Sequence, residues 1–473
     1  MTVDDAPDTP LDALAGHRRA GRGDRPALAD RRRSVTYAEL EREVADKTRE
    51  LSGTGVGPGV PTAVVLTCLL ESVVDFAAAL SLGAAVLVLQ ERVGGAERAA
   101  TLDDFGAELL VADGRVARLR PGGRNVGAPA FAVASSGTGG RPKVISREWP
   151  ATFRNSAAFA RRLELDADDV VLTTSPLGHS YAIEAGTLAV LASGACQVVP
   201  SGPLTPARAA ALAERHRPTV LQTVPLVLDW WGRGDVPRAG RWKRCVSAGE
   251  ALPAAAAGPW HAAGIPVLDH YGNSELGQLT LGPAGGGGVG RPLPGVGLRA
   301  GTTGPGPVTG RFPGLSPVRM RQGRPVPLAD ADGWVATGDL GVLGPDGGLR
   351  LTGRADALIN VAGNKVSPTE VEAVLRGLPG VGDCAVVGRA GPAGGTQVWA
   401  FVEADARDFD AAALRRRAGE LLTPVKVPAV IRRVDALPRT PSGKIRRGPL
   451  TADGAGRPTP NDHSHATDEG NPT

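Results

Sequence analysis

Apolar positions recur at helical spacing through TYAELEREVADKTREL (36–51), behind Thr36, whose hydroxyl suits a helix N-cap. The glycine and proline run 55–59 closes that helix. A continuous apolar run at 62–69 then reads as a buried strand, 73–84 as a helix and 85–89 as a second strand. Strand, helix and strand in this order predict a βαβ unit. The pattern returns with a strand at 170–176, a helix at 187–195, a strand at 196–200, a helix at 206–216 and a strand at 218–225. The segments 244–252 and 266–275 read as strands running into loops. The body of the chain is therefore expected to be α/β, with mostly parallel sheets and the functional loops at the C-terminal ends of the strands.

The texture changes twice. From about 282 to 330 glycine, proline and valine dominate without helical periodicity, which predicts a β-rich subdomain. After Gly353, four short strands (ALINVAG, DCAVVGR, QVWAFVEA, AVIRRVD) alternate with two helical patterns, PTEVEAVLRGL and FDAAALRRRAGELL. The expected organisation is a large core domain at 1–353, a small mobile α+β C-terminal domain at 354–450 and a polar, disordered tail at 451–473. The two tail histidines read as solvated rather than metal-binding.

Composition sharpens this. At 473 residues the chain exceeds what one core can organise. Aromatics are 4%, so the core must be mostly alanine, valine and leucine. The formal net charge is only +4 and the charges are interspersed, which argues against a nucleic-acid partner. The four cysteines show neither CxxC spacing nor a nearby histidine, and read as free thiols in a reducing compartment. The N-terminus has no secretory pattern. The apolar run at 73–89 is too short and too interrupted to span a bilayer, so no membrane partner is expected and a cytoplasmic location is the default.

Candidate chemistry begins with lysine. The chain has six lysines against 47 arginines, and Lys143, Lys365 and Lys444 all lie in glycine-rich, turn-forming segments. A lysine kept against that bias suits a site that needs a compact ammonium on a flexible stem. Each alone would be unremarkable on a surface; three suggest a nucleotide handled from several sides. In AVASSGTGGRPKVI (132–145), Gly137, Gly139 and Gly140 let the backbone approach an anion, and Ser135, Ser136 and Thr138 add hydroxyls. It is not a Walker A loop, because Pro142 precedes the lysine and Val144 follows it. A plain glycine-rich turn is the competing reading.

Four further segments follow in order: YGNSELG (271–277), TGDLG (337–341) with Asp339 in an expected turn, LTGRADALINVAGNKVSPTEVEAVL (351–375), and LPRTPSGKIRR (437–447) with Lys444 at a turn tip. With TYAEL, SAGEALP (247–253) and VGRPLPGV (289–296), these resemble the signature motifs of the adenylate-forming enzymes. That superfamily includes acyl- and aryl-CoA synthetases, nonribosomal peptide synthetase adenylation domains and beetle luciferase. The resemblance runs from about Thr36 to Arg447. It implies ATP-dependent conversion of a small carboxylic acid to an acyl-adenylate, then transfer to a thiol with release of AMP. It also implies that 135–143 holds the β- and γ-phosphates, that Tyr271, Gly272 and Asn273 flank the nucleotide, and that Ser274 contacts the α-phosphate. Glu275 would ligate Mg²⁺, and Asp339 with Arg354 would bind the ribose. Lys444 would stabilise charge at the reacting carboxylate. Asp356 would be a hinge, and Gly363 would border the thiol channel. The departures from the family pattern are Gly139 and Val144 in the phosphate loop, and a short segment between Gly295 and Asp332.

On the acid side, SPLGHSYAIEAG (175–186) resembles the family's acyl-facing motif, with His179 near the carboxylate; a packed structural histidine is the equal alternative. Ser180 stands where amino-acid-activating relatives carry an aspartate, so an α-amino acid is not expected. The reading favours a small aryl acid whose polar substituent Ser180 could bond, in a pocket also lined by Ser247, Ala248, Gly249, Tyr271 and Asn273. The acceptor is expected to be CoA, the phosphopantetheine of a carrier protein, or an amine. Two other classes compete: a Ser–Ser–Lys amidase built on Ser135 and Ser136, and a nucleotide-binding protein without turnover.

Overall fold

The computed structural model describes residues 7–30, 32–91, 93–121, 130–135, 142–200, 205–361, 364–391, 396–407, 409–440 and 443–451. The chain divides into two compact units, Met1–Thr352 and Gly353–Thr473. Among the described residues no helix is long and apolar enough to cross a membrane.

Two large sheets organise the first unit. One has nine strands, in the order Arg291–Pro292, Gly277–Pro283, Val267–Asn273, Arg244–Ala248, Val220–Thr223, Val170–Thr173, Cys196–Val198, Pro26–Ala29 and Ser34–Thr36. The six central strands run parallel, and antiparallel strands flank them on both sides. The other has eight strands, with a parallel centre formed by Ala130–Ser135, Ala85–Gln90, Pro61–Leu66 and Leu109–Ala112. The sheets are thus mixed, with parallel pairing confined to their centres. All six residues of Pro61–Leu66 are buried, as expected of a parallel strand covered on both faces. A four-stranded sheet over 297–354 supplies the expected β-rich portion.

Local signals place the helices. Thr36 caps Tyr37–Ser52 through a reciprocal box with Glu39. The helix expected at 187–195 starts earlier: a continuous helical segment runs from Ser180 to Ser193, and its middle, Ile183–Leu188, is a π-helix. Such widened turns are frequent at functional sites.

At the centre of the first unit lies a buried ion pair. Arg147, on the strand Lys143–Glu148, meets Glu184 of the π-helix in two hydrogen bonds of 3.0 and 2.5 Å, and both side chains are fully buried. Gln278 Nε2 reaches the same carboxylate at 3.4 Å, while Asn155 accepts from the Gln278 backbone N–H (2.7 Å) and donates to its carbonyl (2.9 Å). Gly277 closes the cluster at φ +76°; a Cβ there would stand 2.6–2.9 Å from Asn155, Arg147 and Glu184. The hairpin turn 274–276 is therefore seated on this polar cluster.

The second unit pairs Ile359–Val361 with Asn364–Val366 and stacks Asp383–Ala390, Thr396–Glu403 and Val430–Val434 into a three-stranded sheet. Helices Pro368–Arg376 and Ala411–Leu421 contribute Val371, Leu375, Leu414 and Ala418 to its core. Ser367 caps the first of them.

Removing one charge of the buried pair leaves the other unpaired. Glu184→Leu is expected to destabilise the first unit by about 3–5 kcal/mol, and Arg147→Met with Glu184→Leu to recover most of that. Urea unfolding followed by tryptophan fluorescence measures it, since six of the seven tryptophans lie before residue 353.

Candidate active site

Two neighbouring parallel strands end side by side. Arg244–Ala248 and Val267–Asn273 pair Ser247 with Asp269 and Ala248 with His270. Side chains alternate across a strand, so Ala248 and His270 share one face and Ser247 and Asp269 the other. The core follows the same division: Val246 packs in one apolar cluster, Cys245 and Val267 in another. The three residues expected to line one pocket are thereby separated. Ala248 stands beside His270, Ser247 faces away from it, and Gly249 follows the strand end at φ +95°.

The strand Val267–Asn273 continues through a turn into Gly277–Pro283, so Ser274 and Glu275 sit at a hairpin tip, both half-buried. Asn273 Oδ1 accepts from Leu276 N at 2.8 Å and fixes that turn. Asn273 Nδ2 is buried without a hydrogen-bond partner among the described residues. Crowding against the carbonyl of Gly277 requires a glycine at 272, where a Cβ would come within 2.5 Å.

Asp339 was expected in a turn; it lies inside the strand Val335–Leu343. Gly338 at φ +77° explains the signal. The pairing with Gly306–Arg311 slips there: between the pairs Pro307–Leu340 and Thr309–Ala336, three residues (337–339) lie opposite one (Val308). The result is a bulge, which re-aims a side chain without ending the strand. Thr337 Oγ1 holds it, donating to Val308 O at 2.9 Å and accepting from Asp339 N at 3.1 Å. So aimed, Asp339 Oδ2 accepts a 2.6 Å hydrogen bond from the Tyr271 phenol. Two motifs 68 residues apart in sequence are in direct contact.

The acid-side motif begins at His179, which precedes the helical segment; its N–H donates to Pro176 O and its carbonyl accepts from Ile183 N. His179 and Ser180 are half-buried. Tyr181 donates to Val246 O at 3.2 Å, and its ring stacks on His270 with centroids 5.5 Å apart and planes 15° apart. Phe159 meets His270 edge-on at 4.9 Å. Sequence reading missed His270 and its neighbour Asp269. Both ring nitrogens of His270 are buried without a partner among the described residues. Burial lowers its pKa to about 3, so the ring is neutral, while burial raises the Asp269 carboxyl to about 7 against a smaller opposing hydrogen bond from the His270 backbone. The only sequence signal was their place beside Tyr271.

Lys143 is half-buried at the start of its strand, paired with Ser135, so the phosphate-loop candidate closes a β-hairpin rather than leading into a helix. Ser136, Gly137, Thr138, Gly139 and Gly140 lie outside the described residues, as does Gly363. Arg354, Asp356 and Lys444 belong to the second unit. Arg354 ends the strand Leu349–Arg354, Asp356 lies in a short 3₁₀ turn, and Lys444 is exposed on a turn. Among the described residues no group of three or more His, Cys, Asp or Glu is arranged to hold a metal. The four cysteines are free thiols, and burial pushes Cys196 and Cys384 up to about 12, which leaves them poor nucleophiles.

A family model described as "AMP-binding enzyme" matches residues 16–126 and 123–300, more than half of the chain, and one described as "AMP-binding enzyme C-terminal domain" matches residues 370–444. The chain is 27% identical to 3-hydroxybenzoate–CoA ligase of Aromatoleum sp. (strain CIB), over 90% of this chain and 93% of that one. It is 33% identical to p-hydroxybenzoic acid–AMP ligase of Mycobacterium tuberculosis, over 73% of this chain and 51% of that one. Among solved structures, O-succinylbenzoate coenzyme A synthetase of Bacillus subtilis, in complex with ATP and magnesium, superposes with a TM-score of 0.78 at 22% identity, over 92% of this chain and 98% of that one.

The opposed shifts of Asp269 and His270 have a pH signature. Between about pH 4 and 6.5 native Asp269 keeps a proton that the unfolded chain has lost, so stability falls as pH rises. Native His270 lacks a proton that the unfolded chain holds, so stability rises, and the two slopes cancel. Asp269→Asn should expose the His270 slope, about 1.4 kcal/mol per pH unit gained relative to the parent. Denaturation series at pH 4.5, 5.5 and 6.5 measure it; parallel curves for variant and parent would contradict it.

Proposed function

The chain belongs to the AMP-binding, adenylate-forming enzymes, and from that premise we propose that it is an aryl-acid ligase that couples ATP cleavage to thioester formation. The observation that carries this reading is the Tyr271–Asp339 hydrogen bond. It joins the strand that leads to Ser274 and Glu275 to the bulge that bears the ribose-binding candidate. A carboxylate has about four lone-pair sites, so one bond from a phenol orients the group without exhausting its capacity to accept.

In the first half-reaction a carboxylate oxygen of the acid attacks the α-phosphorus of ATP, the bond from that phosphorus to the bridging oxygen breaks, and pyrophosphate leaves. In the second, a thiolate attacks the acyl carbon and AMP departs with the electron pair of the acyl–oxygen bond. The protein's part is positioning and charge stabilisation. We assign the phosphate contacts to the backbone around 135–140 and to Lys143, the α-phosphate contact to Ser274 and the ribose to Asp339 with Arg354. Lys444 is assigned to the charge that develops between the acid and the α-phosphate. Asp356 is proposed as the pivot between the two half-reactions and Gly363 as the border of the thiol path. Glu275 is a half-buried carboxylate at a hairpin tip, with no cluster of further acidic ligands around it among the described residues, a donor set that suits Mg²⁺ carried mainly by the nucleotide's own phosphates and water. Bound there, the ion would neutralise phosphate charge.

The acid is proposed to be a hydroxy- or amino-substituted benzoate. Ser180 provides no counter-charge for an α-ammonium, and the stacked pair His270 and Tyr181, whose imidazole nitrogens have no partner among the described residues, is proposed as the flat wall of the pocket. The two curated relatives named above act on hydroxybenzoates according to their names. CoA is the proposed acceptor, with a carrier-protein phosphopantetheine as the variant to be tested beside it. A cytoplasmic location accords with these substrates.

Two outcomes are expected. Lys444→Ala should lower ATP–pyrophosphate exchange by about 10²–10³-fold. In the parent protein, 3- and 4-hydroxybenzoate should support exchange at least tenfold better than benzoate, because an unpaired buried polar group penalises the analogue that lacks the hydroxyl; α-amino acids should support none. Exchange with amino acids alone would refute the assignment.

A further inference from the structure

Lys444 sits between two arginines, and each is tied to a buried or half-buried carboxylate in the body of the second unit. Upstream, Arg439 donates from Nη1 to Gly443 O at 3.0 Å, closing over the turn, and its Nη2 pairs with Asp383. Glu403 lies 3.9 Å from the same guanidinium and accepts from Leu437 N at 2.6 Å. Downstream, Arg447 Nη2 contacts both oxygens of Glu372 at 2.8 and 2.9 Å. The Glu372 side chain is 2% exposed and also accepts from Val386 N at 2.8 Å. Arg376 braces both anchors, bonding Asp383 at 2.7 Å and standing 3.5 Å from Glu372.

Between the clamps the backbone folds back on itself. Thr440 N donates to Lys444 O at 2.8 Å, Lys444 N donates to Thr440 Oγ1 at 3.1 Å, and Arg446 N donates to Pro438 O at 2.7 Å. Ile445, next to the lysine, packs with Ala385, Val387, Phe401, Leu437 and Leu450. The lysine side chain is exposed, and no carboxylate pairs with its ammonium among the described residues. Of these groups only the Glu372 side chain is almost wholly out of water, and half-exposed ion pairs of this kind add little to stability. What they do provide is direction: two bonds from each guanidinium fix the chain on both sides of a residue whose own stem is flexible.

We infer that Arg439 and Arg447 are positioning residues for the Lys444 ammonium, acting through Asp383 and Glu372, and that their effect is confined to the adenylate-forming half-reaction. This rests on the role assigned to Lys444 above.

The test uses the full chain with Arg447→Gln, Arg439→Gln and Glu372→Gln, each alone and combined with Lys444→Ala. Glu372→Gln keeps the side-chain volume and the acceptor for Val386 N, and guards against an arginine variant that does not fold. Two activities are read: ATP–pyrophosphate exchange with a hydroxybenzoate, and transfer from separately prepared aryl-adenylate to CoA. Each single variant should lose about 10–100-fold in exchange, the scale of an ångström-size misplacement. KM for ATP and for the acid should stay within about twofold, as should transfer. In the Lys444→Ala background the same changes should cost less than about twofold more, because the group they aim is gone. Equal loss in both half-reactions, or undiminished loss without the lysine, would show a merely structural role and overturn the inference. If Lys444→Ala abolishes exchange while the clamp variants keep it, the clamp fails alone. If Lys444→Ala leaves exchange intact, the role of the lysine fails and the clamp with it.

Discussion

The guanidinium of Arg147 and the carboxylate of Glu184 are both out of water, and the arrangement of the first unit around its site depends on their contact. Arg147 lies four residues beyond Lys143 on the strand that leaves the phosphate-loop hairpin. Glu184 lies in the π-helix that follows His179, and Gln278 and Gly277 open the strand that follows Glu275. Three segments that sequence reading assigned to three separate tasks therefore converge on one buried pair. A two-bond contact between charges tolerates little sliding, so the three are held in a fixed relation. That is a better reason for the pair than stability, which apolar residues would supply as well.

The same strand carries a second consequence of burial. Asp269 and His270 are neighbours, so their side chains enter opposite faces of the sheet. Burial opposes the charged form of each, which raises the acid and lowers the base until both are neutral near pH 6. A neutral imidazole keeps one donor and one acceptor, and a protonated carboxyl keeps one O–H donor together with its remaining acceptor capacity. Both faces of the strand end thus present hydrogen-bonding groups without net charge, which suits neutral ring edges and hydroxyls better than ions.

Much of this architecture was legible in the chain. The capped helix after Thr36 and the continuous apolar strands announced themselves, because Thr36 stands where an N-cap must and parallel strands are apolar on both faces. Other features were not. The helix Trp149–Arg162, which supplies Asn155 and Phe159, is buried along most of its length, and it buries the polar Thr152, Asn155 and Ser156 with the apolar residues, so residue type does not mark its inner face. TGDLG reads as a turn because glycine flanks the aspartate, yet pairing with the antiparallel strand Gly306–Arg311 keeps it in a strand and absorbs the glycine as a bulge. Ser247, Ala248 and Gly249 are contiguous in sequence, and the period of two sends them to different faces. Arg147 and Glu184 would each be placed on the surface by type, and only the fold reveals that they bury one another.

The lysines can now be sorted by what they touch. Lys47 pairs with Glu50, Lys243 with Asp169 and Lys426 with Glu370, contacts that an arginine could also make. Lys143 and Lys444 have no carboxylate partner among the described residues, although 49 acidic side chains are available in the chain. An ammonium left without an internal partner keeps its charge for something that arrives. The neighbouring arginines, by contrast, are used up in holding the backbone. This division follows from chemistry: a planar fork is suited to fixing a carboxylate in place, and a point charge on a rotatable stem is suited to following an oxygen as its bonding changes. Replacing Lys444 with arginine would therefore preserve the charge at the turn and still misplace it.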